Sequence, residues 1–248
     1  MSLSLIQITD THIQAEPGAT FDGIDCAASL AAVLDHINAH EQPDRILLTG
    51  DLVHDPDSTS YRRLNDLLQA VERPVHAIPG NHDDPALMRE QLDAPVRHER
   101  LIEQGGWRVL LLNSWLEGEH AGQLPAAELD WLAEQLEQQP DTPSLVALHH
   151  PPVSIGSPWM DAMGLRNADD LLTVIDRQPQ VAGVIWGHIH QQFESERHGV
   201  RLLGCPSTCV QFRPGSDEYA RDELGPGYRH LLLTDSGEIR TTVTRVNS

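Results

Sequence analysis

A chain of 248 residues, 40% of them hydrophobic, can bury a continuous core without disulfides or zinc, so we expect a single domain over residues 1–248. Seventeen basic residues face 37 acidic ones, and the resulting net charge of −20 repels a phosphate backbone, which excludes nucleic acid polymers as expected partners. Neither a signal peptide nor a membrane-spanning stretch is predicted, so we expect a cytoplasmic protein without a membrane partner.

Short apolar runs that end in polar residues predict buried strands, and apolar residues that recur every three or four positions predict helices packed on a sheet. The predicted elements of the first half are a strand at 3–8, a helix at 26–40, a strand at 45–49, a helix at 59–71, a strand at 74–78 and a helix at 85–92. Strands and helices therefore alternate from the start of the chain.

The same alternation continues before the chain becomes mostly strand. The predicted elements of the second half are a strand at 107–113, a helix at 126–138, a strand at 145–148, a helix at 167–178, a strand at 181–186 and short strands between glycine turns from 192 to 246. This order predicts an α/β fold of the α+β sandwich kind, with two stacked mixed β-sheets flanked by helices.

Five polar blocks each follow an apolar run, where the end of a strand delivers side chains to the edge of a sheet. They are Asp10-Thr11-His12, Gly50-Asp51, Gly80-Asn81-His82-Asp83, His149-His150 and Gly187-His188-Ile189-His190. Their carboxylates, imidazoles and amide suit Mn²⁺, Fe²⁺ or Zn²⁺, and they are numerous enough for two ions. Because side chains alternate along a strand, both members of D-x-H and of H-x-H are expected on one face.

Each block alone has a plainer interpretation. Gly-Asp after a strand is typical of a turn or a helix cap, and G-H-x-H is equally typical of two hydrogen-bonded histidines at a sheet edge. Five such blocks in one order, each at a strand end, favour a metal centre over independent structural accidents.

The order D-x-H, G-D, G-N-H-D, H and G-H-x-H resembles the calcineurin-like metallophosphoesterase pattern over residues 10–190. The segments 159–170, with Leu165-Arg166-Asn167, and 205–212 also resemble the bacterial class III 3′,5′-cyclic AMP phosphodiesterases. This resemblance implies the calcineurin-like fold. It also implies hydrolysis of a small cyclic nucleotide, 3′,5′-cyclic AMP, to 5′-AMP by a hydroxide that bridges two metals.

The resemblance also assigns roles to residues. One metal takes Asp10, His12, Asp51 and His190, and the other takes Asp51, Asn81, His149 and His188, so that Asp51 bridges them. The two ions are expected to be Fe²⁺ or Mn²⁺, with Zn²⁺ as an alternative. His82 is expected to be catalytic and to protonate the departing oxygen, oriented by Asp83 or another acid. The substrate is expected to contact His12, Asp51, Asn81, His82 and His190.

Other polar and aromatic residues receive structural expectations. On a strand His150 points away from His149, so it supports a ligand or is structural. His54 and Asp55 are expected to cap the helix that begins near Ser58. The three cysteines form no C-x-x-C pair and are expected to be packing residues. A wall that contacts ribose or base is expected from Trp159, Arg166, Asn167 and Phe212.

The sequence leaves three questions open, namely the activity, the preferred substrate and the oligomeric state. The chain could be another phosphoesterase of the same family, such as a nucleotide phosphatase or pyrophosphatase, or a non-catalytic homologue that binds metal or nucleotide. The sequence does not separate cyclic AMP from cyclic GMP or from a 2′,3′-cyclic nucleotide. A homodimer is compatible with it, as is a monomer.

Overall fold

The computed structural model describes residues 2–246 and contains twelve strands and six helices within that range. The strands are β1 Leu3–Ile8, β2 Arg45–Thr49, β3 Val75–Ile78, β4 Val96–Arg97, β5 Leu101–Gln104, β6 Trp107–Leu111, β7 Ser144–Ala147, β8 Val181–Trp186, β9 Phe193–Arg197, β10 Val200–Gly204, β11 Gly227–Leu233 and β12 Ile239–Arg245. The helices are α1 Cys26–His40, α2 Ser58–Leu68, α3 Pro85–Gln91, α4 Ala126–Gln138, α5 Pro158–Asp161 and α6 Ala168–Ile175.

The strands form two six-stranded mixed sheets, as predicted. The first sheet has the order β12-β11-β1-β2-β3-β4, in which β1 to β4 are parallel and β11 and β12 are antiparallel to their neighbours. The second has the order β5-β6-β7-β8-β10-β9, with β6, β7, β8 and β10 parallel. In each sheet the polar blocks follow parallel strands, so they emerge at the same edge.

Both faces of the central strands are buried, which explains why these strands are mostly apolar in the sequence instead of alternating between apolar and polar residues. In β1, Leu5 packs between the two sheets, whereas Ile6 on the opposite face packs under α1 and α2. In β7, Leu145 faces the space between the sheets and Val146 faces the helices of the other layer. The core therefore has three layers, one between the sheets and one under the helices on each outer side.

Side-chain caps fix where three of the helices begin. Asp25, Asp57 and Asp84 precede α1, α2 and α3, and each carboxylate accepts hydrogen bonds from backbone amides of the first helical turn. The prediction that His54 and Asp55 cap the second helix is therefore wrong, because Asp57 takes that position. The prediction of a helix from Pro85 is confirmed, since proline fits the first turn, where its missing N–H costs nothing.

Three short elements were not predicted, namely β4, β5 and α5. Each contains four residues or fewer, which is too short to show a period of 2 or 3.6. The single domain over residues 1–248 stays a prediction, and residues 1, 247 and 248 lie outside the described part of the chain. Within residues 2–246, no helix combines the length and the apolarity that a membrane crossing requires.

The prediction that all three cysteines are packing residues is wrong for two of them. Cys26 and Cys209 form a disulfide between the first residue of α1 and the loop after β10, whereas Cys205 is a free, buried thiol. The paired residues are separated by 183 positions in the sequence, yet their Cα atoms lie 5.1 Å apart. Only the packing of α1 beside this loop brings them into range, so spacing in the sequence could not reveal the pair.

Candidate metal centre

The five polar blocks converge where the carboxyl ends of β1, β2 and β3 in one sheet meet those of β7 and β8 in the other. Backbone hydrogen bonds join the blocks directly, from Asp10 N to Gly50 O over 2.9 Å and from Gly187 N to His149 O over 3.2 Å. Across the two sheets, the His149 ring donates from Nδ1 to Thr49 O over 2.8 Å. The two sheets therefore build one site together.

One group of four buried side chains has candidate ligand atoms that all lie within 4.8 Å of one another: Asp10, His12, Asp51 and His190. His12 Nε2 lies 3.2 Å from His190 Nε2 and 3.8 Å from Asp51 Oδ2, and His190 Nε2 lies 3.4 Å from Asp10 Oδ1. Two imidazole nitrogens and two carboxylates that face one buried point are a donor set for a divalent cation. These four residues are the predicted ligands of the first metal.

The second predicted group lies on the other side of Asp51. Asp51 Oδ1 is 3.3 Å from His149 Nε2, which is itself 3.3 Å from Asn81 Oδ1, and the rings of His149 and His188 are 5.1 Å apart. Because Asp51 Oδ2 faces His12 while Oδ1 faces His149, its carboxylate has one oxygen for each group. That orientation is the one the predicted bridging role requires.

The imidazole rings are oriented as metal ligands usually are. Nδ1 of His149 and Nδ1 of His190 each donate to a backbone carbonyl, Thr49 O and Val210 O, which leaves Nε2 as the nitrogen that faces the cluster. Within residues 2–246, neither ring nitrogen of His188 has a hydrogen-bond partner, although the side chain is buried. An unpaired buried nitrogen is costly, and a metal ion would satisfy it.

The pKa shifts agree with ligand roles. Burial lowers the pKa of His12 and of His188 well below the usual range, so both rings are neutral and have a free lone pair. For His149 burial acts in the same direction, but the carboxylates of Asp51 and Asp10 and the hydrogen bonds to the ring together outweigh it and raise the pKa to about 9. Ion binding at His149 must therefore release a proton.

The backbone at the site is strained. Seven residues other than glycine have positive φ within the described range, and five of them are predicted ligands: Asp10, His12, Asp51, His188 and His190, with φ between 44° and 66°. Each such left-handed residue costs roughly 1–3 kcal/mol and persists only where its surroundings enforce it, which is typical of functional sites. The predicted strand-like alternation in D-x-H and H-x-H is thus wrong. The paired side chains share a site because left-handed turns follow the strands.

Glycine is required beside the predicted ligands for a steric reason. A Cβ atom at Gly80 would collide with Asp51 Oδ1, and one at Gly50 would collide with the His149 ring. The backbone of both loops therefore approaches the ligands more closely than any other residue would allow.

His82 lies against the cluster, half-buried. Its backbone N–H donates to Asp51 Oδ1 over 2.9 Å, and its Nδ1 donates to the carbonyl oxygen of His54 over 2.7 Å. Because a carbonyl only accepts, Nδ1 carries a proton and Nε2 is the nitrogen left for a substrate. His54 is thus a site residue that the sequence reasoning missed, and its ring lies 5.3 Å from that of His82.

Asp83 has a different role from the predicted one. Within the described residues, its carboxylate forms no hydrogen bond with the His82 ring, whose Nδ1 is bonded to His54 O. Its buried carboxylate instead accepts from Gly80 N over 2.8 Å, from Leu52 N over 3.1 and 3.2 Å, and from the Tyr61 hydroxyl over 3.1 Å. Burial, followed by the charge of Asp51, raises the pKa of Asp83 to about 6. Asp83 therefore ties the loop that contains Asp51 to the loop that contains His82.

His150 lies beside the ligands rather than on the opposite face. Its candidate ligand atom is within 4.8 Å of those of His149 and His188. The expected alternation fails because β7 ends at Ala147, two residues before His149. Its two ring nitrogens already have partners, Ser114 Oγ at 2.8 Å and His120 O at 3.2 Å, so the expected structural role stays the better interpretation.

Comparison with known proteins identifies the family of this site. The calcineurin-like phosphoesterase model matches residues 3–192. The chain belongs to the calcineurin-like phosphoesterase family. It is 42% identical to a 3′,5′-cyclic adenosine monophosphate phosphodiesterase of Pseudomonas aeruginosa, over 99% of this chain and 91% of that protein. It is 37% identical to the protein of the same name in Escherichia coli K12, over 98% of this chain and 89% of that protein.

Solved structures confirm the fold of this calcineurin-like phosphoesterase. A dimetal phosphatase from Danio rerio aligns with a TM-score of 0.70 over 99% of both chains at 14% identity. A purple acid phosphatase from yellow lupin aligns with a TM-score of 0.66, over 99% of this chain and 52% of that one, at 12% identity. At these identities the agreement concerns the fold alone.

The cleft of the phosphoesterase opens onto the ligand groups and has an apolar side as well. Its lining consists of His12, Phe21, Asp51, Asn81, His82, His120, Trp159, Met160, Met163, His188, His190, Phe212 and Tyr219. Of the expected wall, Trp159 and Phe212 are therefore in place. Arg166 pairs instead with Glu119 over 2.6 Å, and the Asn167 side chain bonds the backbone of Leu124, so neither reaches the cleft.

Three lining residues carried no signal in the sequence, namely Phe21, His120 and Tyr219. Each lies in a loop, outside any motif or periodic pattern. Only the folding of these loops over the cleft assigns them to the site.

Proposed function

We propose that this protein is a metal-dependent phosphodiesterase that hydrolyses 3′,5′-cyclic AMP to 5′-AMP. The observation that carries the proposal is the position of Asp51, whose two carboxylate oxygens face separate groups of buried ligands. The substrate is supported by relatives that are 42% and 37% identical over nearly the whole chain and are named cyclic AMP phosphodiesterases.

The donor set favours two divalent ions. Asp10, His12, Asp51 and His190 would hold one, and Asp51, Asn81, His149 and His188 would hold the other. Imidazole and carboxylate donors without thiolate favour Fe²⁺ or Mn²⁺, with Zn²⁺ as an alternative. When bound, two such ions supply Lewis acidity toward the phosphate oxygens and lower the pKa of the attacking water.

The residues of this chain would bind and orient the phosphodiester. His12, Asp51, Asn81, His82 and His190 line the floor of the cleft and would face the phosphate. Because the His54 carbonyl accepts from His82 Nδ1, the opposite nitrogen, Nε2, faces the reacting group. In its imidazolium form, His82 donates the Nε2 proton to the 3′-oxygen as the bond from phosphorus to that oxygen breaks. Water supplies the hydroxyl group of the product.

The test measures 5′-AMP released from 3′,5′-cyclic AMP by the protein loaded with Mn²⁺ or Fe²⁺, with 2′,3′-cyclic AMP, nucleotide monoesters and pyrophosphates tested in parallel. The expected result is metal-dependent 5′-AMP release that EDTA abolishes and that Asp51→Asn and His82→Ala each remove. Cleavage of the monoesters or pyrophosphates with cyclic AMP left intact would keep the metal centre and refute the substrate.

Location and assembly stay predictions. The cytoplasmic location expected from the sequence is set against the disulfide between Cys26 and Cys209, which is of a kind that is rare in a reducing cytosol. Size-exclusion chromatography with light scattering would decide between a monomer and the homodimer that the sequence leaves open.

A further inference from the structure

The cleft has two chemically distinct sides. The floor is formed by the histidines and carboxylate described above, and the wall is formed by aromatic and methionine side chains. On the wall, the rings of Trp159, Phe212 and Tyr219 are in mutual edge-to-face contact, with centroids 5.2 to 5.6 Å apart. The Phe212 ring also lies parallel to that of His190, 4.0 Å away. The aromatic wall therefore begins directly at the metal-ligand group.

Tyr219 is the exposed member of this wall. Its side chain is 49% exposed, and only one other large hydrophobic residue among residues 2–246 is comparably open to solvent. The ring is nevertheless held in place, because its hydroxyl donates to Asp22 Oδ2 over 2.7 Å and it is in edge-to-face contact with the rings of Trp159 and Phe212. Burial, together with that hydrogen bond, raises its pKa to about 12, so the hydroxyl stays a donor.

A fixed aromatic ring that is half-exposed to solvent offers a surface on which a flat ring can stack. Such a surface requires no rearrangement on binding, so little of the stacking energy is lost to ordering the protein. Phe212 joins the wall to the floor, since its ring centroid lies 4.0 Å from that of His190 and 5.4 Å from that of Tyr219. The apolar end of a nucleotide is its base.

We propose that Tyr219, supported by Trp159 and Phe212, is the platform on which the nucleobase of the substrate stacks. This inference rests on the proposed function and extends it to base recognition. Stacking on an aromatic ring is worth about 1–3 kcal/mol per base and accepts every base that has a large enough face.

The composition of the wall also determines which bases are told apart. Within the described residues that line the cleft, the wall side carries no carboxylate, amide or guanidinium group, the Tyr219 hydroxyl is engaged by Asp22, and the unpaired Nε1 of Trp159 is buried away from solvent. A site that hydrogen-bonds a substrate group rejects analogues by factors of about 10⁴–10⁵, whereas a site without such groups discriminates far less. Cyclic AMP and cyclic GMP are therefore substrates of similar efficiency.

The test compares Tyr219→Ala and Tyr219→Phe with the wild-type metalloenzyme. Substrates are 3′,5′-cyclic AMP, 3′,5′-cyclic GMP and the same cyclic phosphate of a ribose without a base. For Tyr219→Ala we expect KM for cyclic AMP to rise about tenfold with kcat nearly unchanged, and no change for the abasic substrate. Tyr219→Phe keeps the ring but loses the hydrogen bond to Asp22, so its KM for cyclic AMP should lie between those of wild type and Tyr219→Ala. The wild-type kcat/KM for the two purine nucleotides should agree within about tenfold.

Leu224→Ala is the matched control, because Leu224 is the other exposed large hydrophobic residue, 54% exposed, and does not line this cleft. Its KM should equal that of wild type. An unchanged KM in Tyr219→Ala, an equal loss on the abasic substrate, or a hundredfold preference between the purines would overturn the platform.

Calorimetric titration separates this inference from the proposed function. A phosphodiesterase does not consume 5′-AMP, so the affinity for 5′-AMP relative to ribose 5-phosphate reports base binding without turnover. If Tyr219→Ala removes the advantage of 5′-AMP while no cyclic nucleotide is hydrolysed, the platform stands and the proposed function is wrong. If cyclic AMP is hydrolysed and Tyr219→Ala keeps that advantage, the platform is wrong and the proposed function stands.

Discussion

Substituting Asp83 by asparagine tests whether this carboxylate ties the two ligand loops together. One carboxylate oxygen accepts from Leu52 N and the Tyr61 hydroxyl, and the other accepts from Leu52 N and Gly80 N. Asparagine has nearly the same shape but only one acceptor oxygen. Whichever way its amide is turned, an N–H group of the side chain faces a buried donor, either Gly80 N or the group formed by Leu52 N and the Tyr61 hydroxyl.

The expected cost follows from these contacts. Hydrogen bonds to a charged group contribute about 1.5–3 kcal/mol, and a buried donor left without an acceptor costs about 1–3 kcal/mol. The raised pKa of Asp83 means that burial and the charge of Asp51 disfavour the ionised carboxylate, so removing that charge offsets part of the lost hydrogen bonding. We therefore expect Asp83→Asn to lower the free energy of unfolding at pH 8 by about 1–2 kcal/mol. For a chain of this length, that corresponds to a fall in Tm of about 2–8 °C.

The assay is urea unfolding of the metal-free protein, followed by far-ultraviolet circular dichroism, with the apparent Kd for Mn²⁺ measured in parallel. Tyr61→Phe is the matched control. It removes one donor to Asp83 and the acceptor of Asp84 N, and should cost about 1 kcal/mol. Because Asp83 positions Asp51, the Kd for Mn²⁺ should rise in Asp83→Asn. A loss of stability below about 0.5 kcal/mol, with unchanged Mn²⁺ affinity, would refute the tie between the loops.

Three further predictions concern the metals, the acid and the thiols. Mn²⁺ at a hundredfold excess over its Kd should stabilise the protein by about 2.7 kcal/mol, measured by thermal melting. Asp51→Asn should remove most of that stabilisation. An equal stabilisation of the variant would mean that the ions bind elsewhere. In His82→Ala, kcat should fall by a factor of about 10²–10⁴, while the metal content measured by atomic absorption is unchanged. His54→Ala keeps the backbone carbonyl that orients His82, so its kcat should fall less than tenfold. Comparable losses in the two variants would assign the acid role to the pair. Burial raises the pKa of Cys205 to about 12, so titration of the native protein should find no reactive thiol. The unfolded protein should show one reactive thiol without reductant and three after reduction. Three reactive thiols without reductant would exclude the disulfide.

The sequence by itself determined the main elements and which residue types assemble at the site. Central strands such as β1 and β8 are predicted to the residue because both faces are buried, and a mostly apolar run can be recognised without knowledge of its neighbours in the sheet. The polar blocks follow those strands directly, and parallel strands end at a common edge. The convergence of Asp10, Asp51 and His188 could therefore be anticipated from local patterns alone.

Only the tertiary structure decided how those residues act. The left-handed backbone conformation of Asp10 and His12 persists only because the surrounding loops hold it in place. No periodicity in the sequence predicts it. The bond from His82 to His54 O and the one from Tyr219 to Asp22 join loops separated by 28 and 197 positions. Contacts of this kind depend on how the two sheets and their loops pack, whereas sequence patterns report only neighbours within a few residues. The contacts that orient His82 and hold Tyr219 therefore depend on how the whole chain packs.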